Sequence, residues 1–174
     1  VPASPKKTLL ERLDKAAKFI GACFTSETSQ LERQDGERLA KHIFSDDMGL
    51  ELVKAENGSA EAKLKVTNKH FNGYGLDICH GGVLATACDT VMAWARETLC
   101  EAGKVAVNST MYTRFFKPVK EGTELFFRAA HVDPKKSLDA VSELLVTITD
   151  SLGDIKGYAK GEVAIVDKMK LGGV

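Results

Sequence analysis

The spacing of hydrophobic positions divides the chain into two regimes. In residues 1–45 they recur at helical intervals: Leu9, Leu10, Leu13, Ala16, Ala17 and Ile20 follow a Thr8-to-Glu11 capping box and stop at Gly21. A weaker helical pattern runs from about Leu31 to Phe44. From Met48 the period shortens to two. Leu50 and Leu52 open a strand, Glu56-Asn57-Gly58-Ser59 forms a hairpin turn, and Ala60–Thr67 alternates apolar residues with Glu61, Lys63 and Lys65. After residue 102 come four more strand-like segments, Val105–Phe116, Thr123–Val132, Ala140–Thr149 and Ile155–Val166. Turn signals at Pro118–Gly122, Asp133–Ser137 and Ser151–Asp154 separate them.

Between hairpin and strands lies a segment of different character. From Gly82 the chain reads Val-Leu-Ala-Thr-Ala-Cys-Asp-Thr-Val-Met-Ala-Trp-Ala, and Asp89 is the only charged side chain between Ile78 and Ala95. A helix apolar all round, yet too short to cross a bilayer, predicts burial inside a domain. Ala85, Ala87, Ala93 and Ala95 would let a sheet curl closely around it. Strands grouped around one helix imply α+β architecture, not a doubly wound parallel sheet. The predicted organisation is a helical N-terminal extension (1–45), a main domain (46–167) and a short tail (168–174).

Composition narrows the function. Lys+Arg and Asp+Glu number 24 each, so the formal net charge is zero, which argues against a dedicated nucleic-acid binder and offers no electrostatic resistance to self-association. No apolar run reaches membrane-spanning length, and Val1–Lys7 has no apolar signal core; the missing initiator Met suggests processing or trimming. Cys23, Cys79, Cys88 and Cys100 form no C-x-x-C pair, a spacing that fits neither a zinc site nor a disulfide framework and predicts free thiols in a reducing cytoplasm. No cofactor motif and no metal-ligand spacing is present.

Two features carry candidate chemistry. An ionised carboxylate in an apolar interior costs several kcal/mol unless compensated, so Asp89 is either functional, solvated on a thin polar stripe, or hydrogen-bonded to a neighbouring loop. His80-Gly81-Gly82 marks the helix start, where free first-turn amides and the helix dipole suit a carbonyl oxygen gaining negative charge. A tight loop-to-helix turn that needs glycine is the plainer reading. Gly81 and Asp89 are eight positions apart, roughly 12 Å along a helix. If both act on one carbonyl, they come from different subunits, and a two-fold dimer supplies two such sites.

These residues are similar to a known pattern. Asn72-Gly73, Cys79-His80-Gly81-Gly82, Asp89-Thr90 and Phe116-Lys117-Pro118-Val119-Lys120-Glu121-Gly122 resemble the hotdog-fold acyl-CoA thioesterases, with the phenylacetate-pathway type as the closest subgroup. The similarity covers about residues 46–167. It implies a curved antiparallel sheet of about six strands wrapped around one long helix, assembled as a dimer or dimer of dimers, acting on acyl-CoA without a cofactor. It further implies that Asp89 is general base or nucleophile, that the Gly81 amide polarises the thioester carbonyl, that Asn72 positions water or carbonyl, and that His80 supports the loop. Gly82, Thr90, Asn108 and Phe116 are the implied substrate contacts, Asn108 standing where many relatives place a serine or threonine. The family's loop between Asn-Gly and His-Gly-Gly is about two residues shorter than the one here.

Two rivals remain at this stage. His70-Phe71-Asn72-Gly73 echoes the His-Phe-Pro-Gly opening of hotdog dehydratases, but the position where those enzymes carry their acid is Ala87 here. A non-catalytic acyl-CoA-binding module is the other, and it would not need Asp89. Trp94, Met111, Tyr112, Phe115 and Phe116 are candidate acyl-pocket residues, and Lys117, Lys120, Lys135 and Lys136 candidate phosphate contacts.

Overall fold

The computed structural model describes residues 43–73 and 75–171. The helices expected before Phe44 lie outside them, apart from a single helix α1 (Ile43–Met48). Then follow β1 (Leu50–Glu56), β2 (Ser59–Lys65), a 3-10 turn (Asn68–His70), α2 (Gly81–Glu97), β3 (Lys104–Phe115), β4 (Glu124–His131), β5 (Val141–Asp150), β6 (Ile155–Asp167) and α3 (Lys168–Leu171). The six strands form one antiparallel sheet in the order β1-β2-β4-β5-β6-β3. The α+β fold with one long helix against a six-stranded sheet is therefore as read from the sequence, with strand ends displaced by a residue or two.

Alternation builds the core. Ala62 faces Phe127, Leu64 faces Leu125, Val146 faces Ala159 and Ser142 faces Val163 across neighbouring strands. Their inner face is sealed by Leu84, Ala87, Cys88, Val91, Met92 and Ala95 of α2, all buried. Each large side chain so buried contributes about 1.5–3 kcal/mol. The β1–β2 hairpin closes through Asn57 and Gly58, with φ of 46° and 78°, the left-handed pair a two-residue turn demands. Gly58 also donates its N–H to Thr98 Oγ1 at 2.7 Å, docking the hairpin on the end of α2.

The helix departs from expectation in one respect. It is not covered all round: Gly82 and Asp89 are exposed, and Ala85, Thr86, Thr90 and Ala93 are only half-buried. They lie three or four residues apart and form one stripe. The sheet closes over the opposite side of α2 and leaves this one open beside β3, so within one chain Asp89 bears no desolvation cost.

Among the described residues β3 is the edge strand next to that stripe. It runs for 12 residues and leaves Val107, Met111, Tyr112 and Phe115 between 36% and 57% exposed. A long, apolar, unpaired edge is a ready template for pairing with another strand.

Candidate active site

Three segments converge at the start of α2. The first is the pairing of Phe71 with Cys79, reinforced by His80 N–H donating to His70 O at 2.7 Å. This closes the loop at its base, so the residues that lengthen it lie beyond the bridge, where Gly73 and Gly75 adopt φ of 76° and 69°. Asn72 is the first loop residue past the bridge and is half-buried. The second segment is His80 to Leu84, and the third is the Phe115–Val119 stretch, held by Cys79 N–H to Val119 O at 2.8 Å and by the Ile78–Lys120 bridge.

His80 caps the helix. Its Nδ1 accepts from Gly82 N–H at 2.8 Å, and its carbonyl accepts from Val83 and Leu84 N–H at 3.0 and 3.4 Å. Because Nδ1 accepts, the neutral ring carries its proton on Nε2. The first-turn amide not engaged by His80 is that of Gly81, which has no intrahelical acceptor by position. A Cβ at residue 82 would come within 2.7 Å of His80 Nδ1, and one at residue 81 within 3.0 Å of Phe115 Cε2. Packing thus leaves no room for a side chain at residue 82 and little at residue 81, and both glycines suit ligand approach.

In front of Gly81 lies an open groove of about 250 Å³ lined by Cys79, Leu84, Phe115, Phe116, Lys117 and Val119. The Phe116 ring lies 5.9 Å from that of Tyr158, with the Arg114 guanidinium 5.8 Å from its centroid. Burial pushes the Cys79 thiol up to about 11, so at neutral pH it is not the thiolate nucleophile this position would otherwise suggest.

Asp89 sits two turns further along α2, on the open stripe. Asn108 of β3 donates its Nδ2 to Asp89 Oδ1 at 2.6 Å and to Asp89 O at 2.8 Å. Thr90, beside it, donates its hydroxyl to Thr86 O at 3.0 Å. The structure thus brings Gly81, Gly82, His80 and Phe116 together at the helix start, with Asn72 in the loop just past the Phe71–Cys79 bridge, and Asp89, Thr90 and Asn108 together at its middle. The contact between Asn108 and Asp89 was not foreseen, since the linear sequence places them 19 residues apart with no motif to join them.

Other candidates separate. Trp94 is core, 3% exposed. Lys117 pairs with Asp154 at 3.1 Å. Lys135 and Lys136 lie in the turn after β4, near the opposite end of α2. His70 is buried and both ring nitrogens are engaged: Nδ1 accepts from Thr67 N–H at 3.0 Å and Nε2 donates to Met48 O at 2.9 Å. It acts as a structural clasp, and Ala87, where a dehydratase would carry its acid, is fully buried. Among the described residues no group of three or more His, Cys, Asp or Glu is arranged to hold a metal, and no helix is long and apolar enough to cross a membrane.

Comparison with known proteins agrees with this fold. Residues 76–137 match the model of the Thioesterase superfamily, a stretch that contains the His80 cap, Gly81, Asp89, Asn108 and Phe116. An Archaeoglobus fulgidus protein named "Putative esterase" is 25% identical over 151 residues, covering 84% of this chain and 90% of its own length. Among solved structures, the Escherichia coli PaaI protein of the phenylacetic acid degradation operon is 21% identical with a TM-score of 0.64, covering 76% of this chain and 94% of PaaI. A Haemophilus influenzae thioesterase is 18% identical with a TM-score of 0.66, over 81% of this chain and 93% of its own. A Streptococcus mutans protein bound to acetyl-CoA is 23% identical with a TM-score of 0.59, over 68% and 90%. The solved structures share their fold with this chain, and over residues 76–137, the segment that holds the capped Gly-Gly helix start, the chain is similar to the Thioesterase superfamily.

Proposed function

We propose that the protein hydrolyses an aryl- or fatty-acyl-CoA to the free acid and CoA at a site shared by two subunits. The observation that carries this reading is the position of Asp89: exposed on the open stripe of α2, beside the unpaired β3 edge, and two helical turns from Gly81. Pairing of two β3 edges would extend the sheet across a two-fold axis and bring the open stripe of each helix toward its partner. The stripe's small residues, Ala85, Thr86 and Ala93, permit that approach. The same pairing would set Asp89 of one subunit against the Gly81 end of the other.

The chemistry follows from the groups present. The thioester carbonyl oxygen accepts from the Gly81 amide at the positive end of the α2 dipole, where charge developing on that oxygen is stabilised. In the general-base route Asp89 takes a proton from water as the water oxygen bonds to the carbonyl carbon. The tetrahedral intermediate then expels CoA as thiolate, which takes up a proton. In the nucleophilic route an Asp89 oxygen makes that bond itself, the thiolate leaves, and water hydrolyses the mixed anhydride. Oxygen-18 entering Asp89 during a single turnover in labelled water marks the second route. Acyl-CoA binding at the groove is supported by the acetyl-CoA held by the Streptococcus mutans protein of like fold. A cytoplasmic location accords with the absence of any membrane-spanning helix among the described residues.

Release of CoA thiol across short, aryl and long acyl chains tests the reading, with sedimentation to count subunits. Expected are turnover of at least one class, a dimer or dimer of dimers, and a loss of about 1,000-fold in kcat for Asp89→Asn. An Asp89→Asn enzyme with near-native turnover removes the proposal.

A further inference from the structure

We propose that Asn108 is a positioning residue for Asp89, holding its carboxylate so that one chosen oxygen faces the substrate; this rests on the hydrolysis reading above. A local irregularity in β3 sets up the contact. Asn108 pairs with Val163 and Thr110 with Glu162, so Ser109 is an extra residue without a partner of its own in the ladder. A bulge reverses the alternation of faces. Val163 is buried against α2, so its partner Asn108 lies on the helix side of the sheet, whereas Thr110 lies outside.

The amide there is committed wholly to Asp89. Its Nδ2 reaches Asp89 Oδ1 at 2.6 Å and Asp89 O at 2.8 Å, leaving no N–H for other partners. The opposite amide orientation would set Oδ1 against two acceptor oxygens, so the direction is fixed by chemistry. Asn108 Oδ1 is consequently buried with no hydrogen-bond partner among the described residues. An orphaned buried acceptor is a cost to stability, and the pair of bonds to Asp89 is what this side chain offers in return.

Two consequences follow for the site. An exposed aspartate on a helix samples several rotamers, whereas Asp89, tied to its own main chain through Asn108, holds one. With Oδ1 engaged, Oδ2 is the oxygen presented to water or thioester, which is the geometric constraint on which intramolecular-like rates depend. A residue that contacts the acyl group instead would act through substrate affinity.

The test uses the full chain and the acyl-CoA that the unmodified enzyme turns over best. In Asn108→Leu, of similar shape, kcat is expected to fall about 10- to 100-fold with KM within about threefold, the melting temperature equal to or above that of the unmodified protein, and the assembly state unchanged. Asn108→Asp, which opposes two carboxylates, is expected to lose at least as much kcat. Retention of kcat within twofold in Asn108→Leu overturns the inference. So does a loss confined to KM, which marks a substrate contact, or one that comes with a lowered melting temperature or dissociation, which marks a structural role. Near-native activity in Asp89→Asn is a different failure: it removes the hydrolysis reading, and with it the carboxylate Asn108 is said to position.

Discussion

The Phe115 ring packs against the Cα of Gly81 so closely that a methyl group there would lie 3.0 Å from its Cε2. One aromatic side chain of β3 therefore defines how near a ligand wall stands to the first amide of α2. In Gly81→Ala the ring must yield by a few tenths of an ångström, and it yields into the groove that the acyl thioester would occupy. The expected result is a folded protein with kcat/KM reduced about 10- to 100-fold, read in the thiol-release assay. Adding Phe115→Leu should recover part of the loss by relieving the contact. Full activity in Gly81→Ala alone would show that the amide has another route to the carbonyl.

Arg96, on the last turn of α2, is fully buried and donates to the carbonyls of Ser137 and Asp139. These bonds pin the turn between β4 and β5 to the helix, and burial draws the guanidinium below its ordinary pKa. In Arg96→Met both carbonyls lose a charge-assisted partner, and destabilisation of about 2–4 kcal/mol is expected in urea unfolding. Arg96→Lys should recover little, because an ammonium cannot reproduce the two-pronged fork. A lysine variant as stable as the unmodified protein would show that charge alone holds this turn.

The strand segments, the hairpin and the long helix were legible because alternation and helical spacing are local properties of the chain. Asp89 and the His-Gly-Gly start were legible because each stood out from its neighbours. What the linear pattern hid depends on pairing partners. The bulge at Ser109 exists only relative to β6, so nothing in Asn108-Ser109-Thr110 announces that Asn108 turns toward Asp89. Arg96 begins a charged turn in the sequence, and only the fold of the 134–139 turn over it makes it buried. The apolar run of α2 suggested burial on every side, yet a helix between one sheet and an open edge keeps an uncovered stripe. That stripe is where the carboxylate sits.

The β3 edge can be tested without touching the site. Phe116 N–H donates to Lys156 O at 2.8 Å, so the alternation of the strand directs the N–H groups of Met111, Thr113 and Phe115 away from β6. Proline is tolerated on an edge where the missing N–H faced outward. Thr113→Pro is therefore expected to give a folded monomer, with circular dichroism close to that of the unmodified protein. Thiol release should drop by more than 100-fold if each site needs two subunits. A monomer that still turns over acyl-CoA at the native rate would place Gly81 and Asp89 on separate tasks.

Acid should weaken the fold through His131. Both its ring nitrogens are buried with no hydrogen-bond partner among the described residues, and burial, with Arg96 nearby, lowers its pKa from 6.5 to about 4. The folded state thus keeps the ring neutral where the unfolded chain already binds a proton. Unfolding takes up a proton between those values, so stability falls as pH falls from about 6.5 toward about 4, by about 3 kcal/mol in all, and is level above that window. Asp150 contributes in a lower range. Its bond to Lys156 holds its carboxyl below the ordinary 3.8, so its stabilisation is complete above that value and is lost only in stronger acid. Urea unfolding at intervals from pH 7.5 to about 2 separates the two groups. His131→Leu, which packs without a titrating nitrogen, should flatten the slope in that window and leave the steeper loss below it. A slope that survives the substitution would assign the acid sensitivity to another group.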